Sequence, residues 1–154
     1  MKPSLAKILA YQNENIISRF TDKYNIIDDE AVDIFNETKK FLYLTHFDKV
    51  FITNDIVILD EMWHNFILFT NEYHDFCQAN FGKFKHHLPT SKAEKQERTI
   101  KFQENPEKSH QEALIQFEWL LGITYDHLGS HTVEKWFEVY PEKYSREQVK
   151  ILMK

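Results

Sequence analysis

The sequence predicts an all-α protein, a single-domain helical bundle of about five to seven helices spanning residues 1–154. Three observations predict it. Apolar residues recur at helical rather than alternating spacing along most of the chain. Only three glycines and four prolines are present, too few for the frequent turns of a sandwich or barrel. Aromatic residues are plentiful, with 13 Phe, 7 Tyr and 3 Trp, and 154 residues suffice to bury most of them in one core.

The elements follow in order. Ser4 is an N-cap for a first helix carrying Leu5, Ile8, Leu9, Ile16 and Phe20. Asp28 and Asp29 open a second, with Ala31, Ile34, Phe35, Thr38, Phe41 and Leu42 on one side. Thr53 or Asn54 caps a third, whose first turn holds Asp55. Two stripes continue from it, one of Met62, Phe66, Phe69, Tyr73 and Phe76, the other of Trp63, Ile67, Thr70, His74, Cys77 and Phe81. They place residues 56–81 at the centre of the fold, and Gly82 ends the run. Residues 90–108 are charged and poor in apolar groups. They predict a mobile connection with a short exposed helix around Lys92–Glu104. Ser109 and Glu112 have capping-box spacing ahead of a helix with Leu114, Phe117, Leu120, Leu121 and Tyr125 that ends near Gly129. A short helix over "SHTVEKWFEVYP" stops before Pro141, and Ser145 with Gln148 starts the last. "KVFIT" and "DIVIL" have the composition of brief strands, but their helical neighbours outweigh it.

Composition excludes several function classes. A net charge of −5 lacks the basic face of a generic nucleic-acid binder. No apolar run approaches the roughly 18 residues needed to span a bilayer, and the first 20 residues lack a signal-peptide core and cleavage site. Cys77 is alone, so no internal disulfide forms, and a reducing cytoplasm is the expected setting.

The chemistry-bearing residues concentrate in "LDEMWHNFILFTNEYHDFCQANFGKFKHHLP", Leu59 to Pro89. Asp60 and His64 are spaced i, i+4, so the carboxylate can hold one ring nitrogen while the other is presented as a lone pair. Tyr73 and Cys77 share the same spacing, and His74 lies three residues before Cys77. His86 and His87 follow Gly82 and precede Pro89. Neighbours on an extended segment point opposite ways, so one of the pair faces inward. Two imidazoles and a thiolate suit zinc or another transition metal. In one unbroken helix, however, His64 and Cys77 stand roughly 20 Å apart along the axis. A break at "FTNEY", with Thr70 or Asn71 as a new N-cap, folds His64 back towards Cys77; a straight helix separates them.

At these residues the sequence resembles the glycine-rich domain-containing protein-like family. "LDEMWH", "FILFTNEYHDFC" and "FGKFKHH-P" are similar to its D-x-x-WH, Y-x-x-(F)C and G-x-x-x-H-H elements. The matching positions are Asp60, Trp63, His64, Tyr73, Cys77, Gly82 and His87, with His86 adjacent; the glycine-rich tail of the plant members is absent. The resemblance implies a mainly helical fold in which Asp60, His64, Cys77 and His87 act together.

Two functions compete. In one, the protein binds a metal through His64, Cys77 and His87, with Asp60 orienting His64 and Tyr73, His86 or His74 in support. In the other, it is a non-catalytic helical interaction module whose polar cluster is structural. An aromatic patch of Trp136, Phe137 and Tyr140 then meets a protein partner. A cysteine nucleophile formed by Cys77 with His87 or His74 is a weaker third. The sequence assigns no reaction.

Overall fold

A computed structural model describes residues 2–154. Its elements are α-helices, with one 3₁₀ turn and one π turn, and among the described residues the strand pairing is a single isolated bridge, Tyr24 to Met153. The all-α expectation holds. Helical segments exceed the expected number because bends divide runs that periodicity reads as single helices.

The first run is one such case. Helix α1 (Leu5–Ala10) is capped by Ser4, and α2 (Glu14–Lys23) starts anew because the Asn13 side chain accepts from Asn15 N at 3.0 Å and Ile16 N at 3.4 Å. Helix α3 (Asp28–Leu44) opens on three acidic residues that complement its positive end. A 3₁₀ turn, Asn54–Ile56, leads into α4 (Val57–Ile67), and α5 (Thr70–Phe81) follows. Helices α3 and α4 form the centre of the core. They bury Ile34, Phe35, Phe41 and Leu42 against Ile58, Leu59, Met62 and Phe66. Tyr73, Phe76 and Cys77 of α5 join the same cluster. Polar ties set the register of α2 on α4: Arg19 donates to Asn65 Oδ1 at 2.7 Å, and Asn65 donates back to the Ile16 carbonyl at 2.9 Å.

The charged segment contains helix α6 (Lys92–Glu104), with the expected bounds and no buried residue. Helix α7 (Pro106–Leu128) then begins earlier than the Ser109–Glu112 spacing predicts. The pair Asn105–Pro106 is the stronger start signal. Asn105 accepts from Lys108 N at 3.1 Å, and proline at the first position wastes no donor. Gly129, at φ 88°, ends α7.

The run beyond it passes through Pro141 rather than stopping. Helix α8 (Ser130–Glu134) continues as a π turn, Lys135–Val139, and then as α9 (Tyr140–Lys143). The wider turn accommodates the ring and missing N–H of Pro141. It also directs the aromatic stripe inward, which corrects the expected partner patch. Trp136 is fully buried and donates to Glu37 Oε1 at 2.9 Å, Tyr140 is buried, and half-buried Phe137 packs edge-on against Phe117. A large apolar stripe at helical spacing is worth more in the core than in water. Helix α10 (Arg146–Leu152) starts at the Ser145 cap as expected. Among the described residues, no helix is long and apolar enough to cross a membrane.

Candidate functional site

The site grows from the bend between α4 and α5. Leu68 closes α4, and Phe69, with ψ 70°, leaves the helical region. Phe69 N bonds back to the Phe66 carbonyl at 3.0 Å, while the Phe69 carbonyl accepts from Tyr73 N at 2.8 Å and starts α5. Of the two alternatives at "FTNEY", the break is the one present, but a backbone turn at Phe69 makes it, without a side-chain cap from Thr70 or Asn71. Gly82, at φ 69°, ends α5 in the left-handed region that glycine enters without a Cβ penalty. The chain then returns along the bend.

Tyr73 anchors that return. Its phenol is fully buried, accepts from Trp63 Nε1 at 2.9 Å and donates to the Lys85 carbonyl. Two residues further on, His87 reaches α4, where its Nε2 lies 2.6 Å from Asp60 Oδ1. The Asp60 carboxylate also faces His64, with Nδ1 at 3.7 Å from Oδ2. The ligand-capable atoms of Asp60, His64 and His87 all lie within 4.8 Å of one another. The rings are layered: His87 stacks on Trp63 at 4.0 Å with 2° between planes, and on its other side meets His64 at 4.5 Å. His87 and Asp60 are mostly shielded, whereas the His64 side chain is 54% exposed, so the group opens to solvent through His64.

The other candidates lie elsewhere. Cys77 is fully buried on the inner face of α5 and is not in the three-residue group. Burial pushes its thiol pKa up, although the Lys85 backbone and Tyr73 pull the other way. A thiol held protonated in the core does not favour the cysteine-nucleophile reading. The break bends the two helices, but Cys77 remains with Tyr73 on the side that packs into the core. His74 is exposed beside Asp75. His86 is exposed against Phe84, so of the adjacent pair only His87 turns inward. Asp60 thus occupies the centre, bonded to His87 rather than to His64 as the i, i+4 spacing alone suggests.

Sequence reasoning placed Trp63 on an apolar stripe and among the positions of the resemblance but gave it no part in the site, yet its ring stacks on His87 and orients it. The available signal was its position three residues after Asp60 on the same helix.

The donor set can be tested against a metal. One carboxylate oxygen and two imidazole nitrogens are ordinary ligands for zinc and for other divalent transition ions. Around tetrahedral zinc, ligand atoms stand roughly 3.3 Å apart. His87 Nε2 and His64 Nδ1 approach different oxygens of Asp60, 2.6 Å from Oδ1 and 3.7 Å from Oδ2. The fit is right in chemical kind; the donor atoms lie within 4.8 Å of one another, and holding one ion requires His64 to rotate and the His87–Asp60 bond to open.

A family model described as UCP032817-like matches residues 6–105, a span that includes the whole site. No curated protein and no solved structure matches the chain.

Proposed function

The chain belongs to the UCP032817-like family, and from that premise we propose that it is a small helical metal-binding protein with Asp60, His64 and His87 as ligands for zinc or another divalent transition ion. Membership brings no reaction with it, so the reading rests on the site. The observation that carries it is the convergence of three donor atoms within 4.8 Å at a solvent-facing edge. Three protein ligands leave a coordination position for water or a small ligand, as catalytic zinc sites do. Trp63 and the Tyr73–Lys85 bond support His87 from behind, as outer groups do in metal sites. The likeness to the glycine-rich domain-containing protein-like pattern adds support, since Asp60, His64 and His87 are three of its matching positions. Cys77, the remaining ligand expected from that pattern, is on this reading a core residue.

Elemental analysis of protein purified without a His-tag tests the proposal. The expected result is about one transition ion per chain. Asp60→Asn, His64→Ala and His87→Ala lower the occupancy, and Cys77→Ser preserves it. Zinc at 100 times its Kd raises folding stability by about 2.7 kcal/mol. Protein that stays metal-free after equilibration with zinc, with an unchanged melting temperature, overturns it.

One observation favours the alternative, a polar cluster that is purely structural. The 2.6 Å His87–Asp60 bond already ties the return segment to α4 without an ion. On that reading Asp60→Asn destabilises the fold equally with and without zinc.

A further inference from the structure

The hairpin of α6 and α7 presents an energetic problem. From Lys92 to Trp119 no residue is buried, although the segment carries Ile100, Phe102, Leu114, Ile115, Phe117 and Trp119. Ordering a residue's backbone costs about 1–2 kcal/mol, and most helical stability in proteins comes from packing an amphipathic face. The hairpin is buried against the rest of the fold in the later part of α7, at Leu120, Ile123 and Thr124; before that its contacts are partly exposed, Phe117 edge-on to Phe137 and Trp119 donating to the Asp48 carbonyl at 3.0 Å.

Two open grooves mark the face left uncovered. One, of about 670 Å³, runs between the helices and is lined by Arg98, Lys101, Phe102, Glu112, Ala113 and Gln116, among others. The other, of about 480 Å³, lies between α7 and the loop that joins α3 to the 3₁₀ turn, lined by Lys49, Phe51, Ile115, Gln116 and Trp119. Gln116 borders both, so the grooves adjoin.

We propose that this face is a self-association surface, on which the α6–α7 hairpin of one copy pairs with that of a second copy about a two-fold axis. Two observations select a second copy. The first is area. Phe51, Phe102, Ile115 and Trp119 are 37%, 56%, 66% and 48% exposed. Together they offer on the order of 500 Å². The stems of Arg98, Lys101 and Gln116 bring the face towards the roughly 800 Å² per partner of a standard stable interface. The second is charge. A two-fold interface sets a patch against itself, so it needs both signs. Arg98 and Lys101 of α6 and Glu112 of α7 supply both on one groove. Two hairpins joined in this way make a four-helix arrangement, which buries what one hairpin cannot.

Sedimentation equilibrium of the full chain tests the proposal, with Ile115→Lys and Phe102→Glu as variants. Both side chains are exposed in the single chain, so folding is expected to survive, and circular dichroism checks that it has. The expected result is a mass that rises with concentration from 18.6 kDa to twice that value. Each variant weakens the dimer at least about tenfold. Wild-type protein also slows amide exchange over residues 92–119 as it dimerises, and the variants do not. A wild-type chain that keeps the monomer mass up to roughly 0.5 mM overturns the proposal. So does a dimer that both folded variants leave unweakened, since another surface then makes it.

Discussion

At the residue scale, Tyr73 separates packing from hydrogen bonding around the site. Tyr73→Phe keeps the ring but leaves the Trp63 indole N–H and the Lys85 carbonyl without their partner. We expect a loss of about 2 kcal/mol, read as a lower urea midpoint at unchanged slope; a midpoint equal to wild type would show that these bonds contribute nothing. Lys39 makes a pH prediction. It is buried, donates to the Leu9 and Tyr11 carbonyls, and burial lowers its amine from the ordinary 10.5 to about 8. Between those values the unfolded chain keeps a proton that the folded chain has released, so this group makes stability rise with pH. Below about pH 8 both states are charged and the burial cost is carried in full. Tyr24, Tyr73, Tyr140 and Tyr144, all pushed up by burial, act oppositely above about pH 10. Urea midpoints of wild type and Lys39→Met from pH 7.5 to 9.5 should therefore diverge, with wild type gaining relative to the variant; parallel profiles would contradict the account. Asp60 and His64 were legible in the sequence because their relation is local. Lys39 and Glu37 were not, because periodicity assigns charges to solvent and their partners lie far along the chain, at Leu9, Tyr11 and Trp136.

At the scale of elements, the hairpin and the α5 terminus make separate predictions. In the single chain, limited proteolysis is expected to cut first within residues 90–119, where no apolar side chain is buried; first cuts in α4 or α5 would contradict this. Asn105→Ala removes the cap of α7 and should cost about 1 kcal/mol, seen as faster exchange in the first turns of α7. Gly82→Ala forces a Cβ into the left-handed region and should lower stability by about 1 kcal/mol, measured by thermal melting. The sequence announced Ser4, Gly82, Ser145 and the bounds of α6 through local cap and composition signals. It offered a break at "FTNEY" as one of two alternatives but placed it on a side-chain cap at Thr70 or Asn71 rather than on the backbone turn at Phe69, and it missed the passage through Pro141, since backbone turns inside continuous apolar stripes leave little local signature.

For the whole molecule, the fold acts as a clamp that sets a surface loop against a helix. Helices α2 and α3 hold α4, the bend aims Tyr73 at the returning chain, and that chain carries His87 to Asp60. The sequence revealed the helical class and the stretch containing the site. The choice of Asp60 over Cys77 depends on which face of α5 enters the core, a tertiary outcome that the i, i+4 spacings do not contain. The most direct test is X-ray absorption of the zinc-loaded full chain. The account predicts a first shell of nitrogen and oxygen alone, at about 2.0–2.1 Å, altered by His64→Ala and His87→Ala. A sulfur scatterer at about 2.3 Å would return Cys77 to the site and contradict the assignment, as would a chain that acquires no zinc.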